Sequence, residues 1–262
     1  MSEITDERKK EINEKFTTDK WWGGDENELW LHFYDGPELN AADLKYIDSL
    51  LKQEDKKITR LTLNGCGIND ITIKSISEAL KTNKTLKRLD LYRNEITDVK
   101  SIGEALKTND TLQELGLGNN KITDVKSIGE ALEINKKLQT LYLYRNEIKD
   151  VKSIGKALKT NNTLQRLNLV NNKITYDSGI QSIIDVLKTN NTLDELYLSH
   201  NPELVSKKED LKDIEKYKQY GSKGYKQVRG MVLVWENNDW RSVDPEDGDM
   251  ESYLLNKINL RF

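Results

Sequence analysis

The hydrophobic residues of this 262-residue chain fall into a frame that repeats along the sequence. Segments that begin at residues 57, 85, 111, 137, 163 and 192 align with one another, and each reads L-x-x-L-x-L-x-x-N-x-I with small departures. In the copy that begins at residue 85, the alternation Leu89-Asp90-Leu91 places both leucines on one side of an extended chain. The frame therefore predicts one short, one-sided strand in each copy.

Each predicted strand is followed by hydrophobic residues at helical spacing. In the same copy these residues are Val99, Ile102, Ala105 and Leu106, and their equivalents recur in the neighbouring copies. They form one apolar stripe of a short amphipathic helix. A single strand and a single helix cannot bury their apolar faces alone, whereas stacked copies can. The pattern therefore predicts a solenoid, with a parallel sheet on one side and helices on the other.

Asparagine occupies two further columns of the frame. One column follows the strand, where an amide side chain can bond the backbone that leaves the sheet; its members are Asn94, Asn120, Asn146, Asn172 and Asn201. The other column follows the helix and is expected to hold a left-handed or turn residue; its members, all in N-x-T triplets, are Asn83, Asn109, Asn161 and Asn190. We interpret these triplets as turn chemistry, not glycosylation sites. Cys66 replaces the first-column asparagine in the first copy and is expected to be a small, buried, hydrogen-bonding substitute.

The copies resemble the leucine-rich-repeat family from about Leu29 to Val205, and the full helix in each copy resembles its ribonuclease-inhibitor-like class. That class includes the repeat regions of cytosolic nucleotide-binding immune receptors, Ran GTPase-activating protein and tropomodulin. The resemblance implies an α/β solenoid, a right-handed β-α superhelix with a curved parallel sheet on the concave side and helices on the convex side. It implies no activity, because this family shares an architecture and not a chemistry. No activity-bearing motif of Ran GTPase-activating protein can be matched residue by residue.

The chain before the repeats is expected to cap them, because a bare terminal repeat would expose its core. Residues 1–56 are predicted to form this cap, and residues 57–205 the repeats. The cap is expected to contain an amphipathic helix from Glu3 to Phe16 and a second helix over residues 40–53. Between them lies a degenerate strand, in which Leu31 and Phe33 take the places of two repeat leucines.

Residues 206–262 lose the frame and are predicted to form a small α+β appendage or cap. A helix is expected over residues 207–220 and another over 251–257. The β-prone run over residues 227–235 is expected to turn at Asn237-Asn238 and to pair with Trp240-Arg241-Ser242-Val243 as a hairpin. The acidic run from Asp244 to Asp249 lacks the spacing of a calcium loop and reads as solvated.

Composition limits the classes of partner and compartment. The net charge of −3 gives no support for binding nucleic acid or an anionic membrane. No apolar run approaches the ~18–20 residues of a membrane span, and no signal core is evident. The single cysteine excludes an intramolecular disulfide. A cytoplasmic protein, or one delivered into a host cell as an effector, is expected, and we expect a monomer.

The residues that could carry catalysis are few and far apart. The chain has two histidines, His32 and His200, and the single Cys66. Cys66 and His200 lie five strands apart, on the order of 24 Å at ~4.8 Å per strand. His32 lies on the strand next to Cys66 but is predicted to face the concave surface, so a pair is not expected. No metal-ligand spacing and no glycine-rich phosphate loop is present. We therefore expect no catalytic residue, no metal and no cofactor.

Tyrosine and arginine concentrate at the positions that alternate with the buried leucines and face the concave side. Five arginines meet three acidic residues there, a formal balance of +2. Gly116 and Gly118 remove side chains between Tyr92 and Tyr144, which predicts a trough with aromatic walls and exposed backbone at its floor. The predicted partner-binding residues are Tyr92, Arg93, Gly116, Gly118, Tyr142, Tyr144, Arg145, Tyr197, Arg88 and Trp30.

These features favour a module that binds a partner protein or peptide with its concave face, because tyrosine and arginine dominate binding hot spots. One alternative is a regulator of an enzyme such as a small GTPase, acting through loops at the edge of the repeats. Another is a scaffold that recruits a partner for an activity in the last sixty or so residues.

Overall fold

The computed structural model describes most of the repeats and parts of both ends of the chain. The described residues are 4–18, 29–34, 38–53, 57–174, 183, 186, 189–198, 200–201, 225–228, 231–236 and 239–243. The predicted helices over residues 207–220 and 251–257 lie outside them, as does most of the helix of the copy that begins at residue 163.

The main sheet contains eight strands in chain order. They are β1 (Phe16–Thr18), β2 (Leu29–Tyr34), β3 (Ile58–Asn64), β4 (Arg88–Asp90), β5 (Glu114–Gly116), β6 (Thr140–Tyr142), β7 (Arg166–Asn168) and β8 (Glu195–Tyr197). β1 runs antiparallel to β2, and every later pair is parallel. The predicted strand of every copy is present, so the parallel sheet expected from the alternating leucines is confirmed.

Helices pack on one side of this sheet, and all but the first follow a strand in the chain. They are α1 (Asp6–Asn13), α2 (Ala41–Leu51), α3 (Thr72–Thr82), α4 (Lys100–Thr108), α5 (Lys126–Ile134) and α6 (Lys152–Leu158). In α4, the stripe of Ile102, Ala105 and Leu106 is completely buried, and the equivalent stripes of α5 and α6 are buried in the same way. The strand and the helix of each copy therefore pack against each other through one continuous apolar layer.

The core keeps the leucine register from copy to copy. Leu61, Leu89, Leu115, Leu141 and Leu167 occupy equivalent positions on successive strands, and all are within 1% of complete burial. Because one leucine lies directly over the next, each copy buries the apolar surface that its neighbour would otherwise expose.

The asparagine column after the strands is a hydrogen-bonded ladder, as predicted. The Asn120 amide donates to the carbonyls of Leu91, in the preceding copy, and Leu117, in its own copy, at 3.0 and 3.1 Å. Its Oδ1 accepts the N–H of Ile96 at 3.1 Å. Asn94, Asn146, Asn172 and Asn201 repeat this arrangement. We call this column the exit ladder.

Cys66 fills the same column in the first copy and is completely buried. Its thiol lies 3.4 Å from the Asn64 carbonyl and 3.8 Å from the Phe33 carbonyl. The Cys66 N–H is itself accepted by the Asn94 Oδ1 at 3.0 Å. The prediction of a small buried substitute is therefore confirmed.

The asparagines after the helices form a second ladder, which we call the entry ladder. The Asn109 amide donates to the carbonyls of Leu80 and Asn83 at 2.8 and 3.2 Å, and its Oδ1 accepts the Thr111 and Leu112 N–H groups. Asn83, Asn135, Asn161 and Asn190 do the same. Their amide nitrogens are already donating within the fold, which confirms the turn interpretation of the N-x-T triplets.

Two details of the entry ladder differ from expectation. Asn135 belongs to the ladder but was not recognised, because its copy reads N-K-K-L in place of N-x-T-L. The residues are also not left-handed, since Asn83, Asn109 and Asn135 have φ values between −66 and −75° with extended ψ. The extended backbone lets the Oδ1 atom reach forward to the next two N–H groups, which a left-handed turn would not allow.

Close contact between neighbouring helices depends on glycine. A Cβ atom at Gly103 would lie 2.7 Å from the Ser127 backbone oxygen, and one at Gly129 would lie 2.6 Å from the Ser153 carbonyl carbon. Both distances are shorter than non-bonded atoms allow. Glycine at these positions therefore sets how closely successive helices stack.

The N-terminal segment joins the same sheet. Leu31 pairs with Leu61 and Phe33 with Leu63, which confirms the predicted capping strand. The prediction of a helix reaching Phe16 is wrong: α1 ends at Asn13, and Phe16 begins β1, which pairs with β2. This pairing covers the hydrogen-bonding edge that β2 would otherwise leave open.

One ion pair attaches the first helix to the cap. The Arg8 guanidinium donates to both carboxylate oxygens of Asp43 at 3.1 Å, and Asp43 is almost completely buried. Asp43 also accepts the Asn40 N–H at the start of α2. The bidentate bond raises the pKa of Arg8, mainly through Asp43, and it holds α1 against α2.

A separate three-stranded antiparallel sheet lies near the C-terminus. It consists of β9 (Tyr225–Val228), β10 (Met231–Glu236) and β11 (Asp239–Val243), with β10 in the centre. β10 pairs with β11 from Val232↔Val243 to Glu236↔Asp239, so the predicted hairpin across Asn237-Asn238 is confirmed.

Loss of one ladder amide is expected to destabilise the fold. Asn120→Ala and Asn161→Ala should each lower the free energy of unfolding by roughly 1–3 kcal/mol, because buried backbone groups lose their partners. Asn162→Ala is the matched control, since Asn162 neighbours Asn161 in sequence but is exposed. Thermal and urea denaturation would measure this difference. Equal melting of all three variants would mean that the ladders do not hold the copies together.

Gly129→Ala should destabilise the protein although alanine is the better helix former by about 1 kcal/mol. The new Cβ overlaps the Ser153 backbone, so α5 and α6 must separate, and overpacking of this kind costs ~1–3 kcal/mol. Urea denaturation compares it with Glu130→Ala, an exposed change in the same helix. A stabilised Gly129→Ala protein would contradict the glycine contact.

Candidate functional site

The side of β3 to β8 that faces away from the helices carries four rows of residues, and we call it the open face. It corresponds to the predicted concave surface. Row one is Arg60, Arg88, Glu114, Thr140, Arg166 and Glu195. Row two is Thr62, Asp90, Gly116, Tyr142, Asn168 and Tyr197. Row three is Asn64, Tyr92, Gly118, Tyr144 and Val170, and row four is Gly65, Arg93, Asn119, Arg145, Asn171 and His200.

Rows three and four extend the sheet beyond its short strands. Arg93 N–H donates to the Gly118 carbonyl at 3.1 Å, and Asn119 N–H donates to the Tyr144 carbonyl at 2.8 Å. These bonds keep the neighbouring backbones in register up to the exit ladder. The side chains of rows three and four are therefore positioned by a continuous backbone framework and not by free loops.

Charged residues in rows one and two pair with one another. Arg88 lies 3.1 Å from a Glu114 carboxylate oxygen and 3.7 Å from one of Asp90. Burial raises the pKa of Glu114, and Arg88 opposes that rise while Asp90 adds to it. The arginine thus holds two carboxylates on adjacent strands, which would otherwise repel each other.

A second group forms at the far end of the same rows. Arg166 binds both carboxylate oxygens of Glu195, and Tyr197 donates its hydroxyl to Glu195 at 2.6 Å. The hydrogen bond to Glu195 raises the pKa of Arg166. Burial, followed by the bond to Glu195, raises the pKa of Tyr197. Tyr197, predicted as a contact residue, is therefore half-buried in a polar network.

Three tyrosines meet in the centre of the open face. The ring centroids of Tyr92 and Tyr144 lie 5.8 Å apart with planes tilted by 30°, and Tyr142 meets Tyr144 edge to face at 6.4 Å. Burial, the nearby Asp90 carboxylate and Tyr92 raise the pKa of Tyr144 to about 12. The three rings form one half-buried aromatic cluster, which we call the tyrosine cluster.

The predicted trough between Tyr92 and Tyr144 is wrong. Gly118 is buried, because the Tyr144 ring lies directly on it; a Cβ atom there would be 2.6 Å from two ring carbons. The spacing of the strands suggested rings roughly 10 Å apart. The Tyr144 ring instead leans over the glycine and meets the Tyr92 ring, and that contact removes aromatic surface from water.

Gly116 also departs from the prediction of an exposed floor. It is buried beneath Asp90, and a Cβ atom at this position would lie 2.6 Å from the Asp90 Oδ1. The same Oδ1 accepts the Tyr92 N–H at 3.1 Å. The two glycines therefore make room for neighbouring side chains of this chain and leave no open slot for a partner.

Row four has an unusual backbone conformation that the sequence did not reveal. Arg93, Asn119, Arg145, Asn171 and His200 all have φ between 52 and 58°, and Gly65 has φ of 64°. Asparagine and glycine tolerate this left-handed region, whereas arginine carries a steric cost of roughly 1–2 kcal/mol there. Arg93 and Arg145 are both exposed at these positions.

The open face thus brings most of the predicted residues together. Tyr92, Tyr142 and Tyr144 form the cluster, and Arg88 lies beside it. Arg93 and Arg145, in row four, come directly after Tyr92 and Tyr144 in the sequence. Trp30 belongs to β2, where it pairs with Arg60 in register. The predicted set omitted Asp90, Glu114, Arg166 and Glu195, although the alternation of charges across equivalent positions of the copies was a signal for their pairing.

The cysteine and the potential metal ligands of the described residues lie apart from one another. The only cysteine is buried among backbone carbonyls. Among the described residues no three His, Cys, Asp or Glu side chains are grouped as metal ligands. In the same part of the chain no helix combines the length and apolarity needed to cross a membrane.

Family models match four of the copies. A model described as two copies of leucine-rich repeats matches residues 110–159, and a leucine-rich-repeat model matches residues 82–99 and 160–183. No curated protein matches the chain.

Similar solved structures include two internalins of Listeria monocytogenes and a leiomodin fragment. One internalin is 22% identical over 65% of this chain and 46% of its own, with a TM-score of 0.42. This chain thus spans less than half of that internalin. Internalin C2 is 19% identical over 66% and 81%, with a TM-score of 0.41. The actin-binding site 2 of leiomodin-1 is 22% identical over 70% and 99%, with a TM-score of 0.45.

The contact between Gly118 and Tyr144 can be tested by a double-mutant cycle. Gly118→Ala should destabilise the protein by ~1–3 kcal/mol because its Cβ displaces the ring. In a Tyr144→Ala background the same change should cost much less, since the ring that it would meet is absent. Urea denaturation of the four proteins gives the coupling. A cost independent of Tyr144 would show that the ring does not cover the glycine.

Proposed function

The chain is a leucine-rich-repeat protein, and we propose that it is a protein-interaction module that binds a partner protein or peptide on the open face. The tyrosine cluster carries this proposal. Three half-buried rings with arginines beside them combine a large apolar area with directional polar groups, the composition found at binding hot spots. The long sheets of solenoid proteins suit extended contacts with other macromolecules.

The rigidity of the open face supports binding with little loss of conformational freedom. Row one and row two side chains are held by ion pairs, and the tyrosine rings hold one another. Groups that are already ordered lose little rotamer entropy when a partner binds, so more of the contact energy is retained. The same ordered groups offer no nucleophile with an adjacent base, and this favours binding over catalysis.

Site-specific photo-crosslinking tests the proposal. A benzophenone amino acid at Val170, next to Tyr144 in row three, should give a discrete adduct with a partner in extracts of the source cell. The same group at Lys126, exposed on the helical side, is the matched control and should give no such adduct. Excess unlabelled wild-type protein should suppress the Val170 adduct.

The contribution of the tyrosine cluster is measured with unlabelled Tyr144→Ala as competitor. If Tyr144 is a hot spot worth about 2 kcal/mol of binding free energy, suppressing the Val170 adduct to the same extent should need roughly 30-fold more of this variant than of the wild type. Adducts of equal yield at Lys126 and Val170 would contradict the proposal that the open face binds the partner. Equal competition by the wild type and by Tyr144→Ala would contradict it as well.

A further inference from the structure

The entry ladder contains the asparagine of every N-x-T triplet in the chain. The sequence has four such triplets, and their asparagines are Asn83, Asn109, Asn161 and Asn190. N-x-T is the acceptor motif of N-linked glycosylation, which attaches a sugar to the side-chain nitrogen of the asparagine. The atom that would carry the sugar is therefore the atom with which each of these copies binds the preceding copy.

The ladder uses both hydrogens of that nitrogen. The Asn161 Nδ2 donates to the Leu132 carbonyl at 2.8 Å and to the Asn135 carbonyl at 3.1 Å. Asn109 makes the equivalent two bonds at 2.8 and 3.2 Å, and Asn190 makes them at 2.7 and 3.0 Å. A glycosylated amide keeps one N–H group, so it cannot donate to two carbonyls. A backbone carbonyl in each modified copy would lose its partner.

The fold also leaves no space for a sugar at these asparagines. Asn83, Asn109 and Asn161 are 5%, 3% and 2% exposed. At Asn161, a sugar carbon would replace the hydrogen that points to the Leu132 carbonyl, whose oxygen is 2.8 Å from Nδ2. A carbon bonded to the nitrogen at ~1.45 Å in that direction would overlap the oxygen. The folded stack and a glycan on the entry ladder are therefore mutually exclusive.

The fold does not need the threonine that completes each triplet. Asn135, in the copy that reads N-K-K-L, donates to two carbonyls at 2.7 and 2.9 Å, and its Oδ1 accepts the Lys137 N–H at 2.8 Å. Asn109 makes the same bonds in a copy where Thr111 replaces the lysine. The Thr111 hydroxyl adds only hydrogen bonds of 3.3 Å and longer. The asparagine serves the ladder, and the threonine makes it an acceptor.

We propose that this chain folds in a compartment without N-linked glycosylation, because a glycan on the entry ladder prevents the copies from stacking. In the unfolded chain all four triplets are accessible, so a glycosylating compartment would modify them before the ladder forms. Each modified copy would then lose its bonds to the preceding copy. This inference is independent of the proposed function.

Expression of the full chain in cultured mammalian cells, with and without a cleavable secretion signal, tests the proposal. The wild type is compared with an acceptor-free variant that keeps every ladder asparagine and removes the threonine hydroxyls, Thr85→Val/Thr111→Val/Thr163→Val/Thr192→Val. A third protein adds Lys121→Asn to the acceptor-free variant. This change places one new acceptor two residues before Thr123, in a turn where both side chains are exposed.

Without the signal, all three proteins should fold, resist protease and carry no glycan. If the valine variant melts early, Thr→Lys at the same four positions replaces it, since this change copies Lys137. With the signal, the wild type should be glycosylated, protease-sensitive and secreted roughly tenfold less than the acceptor-free variant, because misfolded chains are retained and degraded. The Lys121→Asn protein should be secreted with one glycan and resist protease, since its sugar faces solvent.

The protein isolated from its source cell gives a second measurement. Mass spectrometry of the peptides that contain the four triplet asparagines should find each side chain unmodified. A glycan on any of them in the folded protein would overturn the proposal.

Three results of the secretion experiment would also overturn it. Secretion of folded wild type, with or without glycans, would show that folding tolerates the modification or precedes it. Equal retention of the acceptor-free variant would show that glycans are not the cause. Retention of the Lys121→Asn protein alone would show that a glycan at any site blocks folding, so that the ladder has no special role. None of these results bears on binding at the open face.

Discussion

The structure depends on finding hydrogen-bond partners for the backbone N–H and C=O groups at both ends of very short strands. From β4 to β8 each strand is three residues long, so most backbone groups of a copy lie outside the hydrogen-bond ladder of the sheet. Asparagine side chains supply these partners at the exit ladder and the entry ladder, where each side-chain amide forms hydrogen bonds with the backbone of two neighbouring copies. Because a buried unpaired backbone group is costly, the ladders fix where every copy begins and ends.

A stack fixed in this way leaves the open face free to vary. The leucines and asparagines hold the backbone, so residues between the leucines can be chosen for contacts with one another or with a partner. The chain uses this freedom in two ways. Ion pairs centred on Arg88 and Arg166 link the charged residues of rows one and two. In rows three and four, alternate copies place a tyrosine followed by an arginine, and the two tyrosine rings are in contact. The strained backbone of Arg93 and Arg145 is tolerated because exit-ladder bonds on the next residue, Asn94 or Asn146, hold it.

Features that repeat along the chain are predictable from the sequence, whereas features that depend on a single torsion or on local context are not. The leucine and asparagine columns predicted the parallel sheet, the exit ladder and the role of Cys66, because each recurs at a fixed spacing. The lean of Tyr144 over Gly118 was not predictable, since rotation about the side-chain bonds decides whether two rings leave a trough or close it. Phe16 was assigned to a helix because its apolar spacing fits one, yet pairing with the open edge of β2 outweighs that local preference. The left-handed column was hidden because arginine is not a residue that signals it.

Native-state hydrogen exchange tests most directly the central claim that the asparagine ladders hold each copy to the next. The amides of Ile96, Ile122 and Ile148 donate only to ladder asparagines, whereas those of Leu91, Leu117 and Leu143 donate to strand carbonyls of the following copy. The account predicts that both groups exchange at the same slow rate, through one cooperative opening of the stack. Fast exchange at the three isoleucines, with the leucines still protected, would show that the ladders open independently and that the sheet alone holds the copies together.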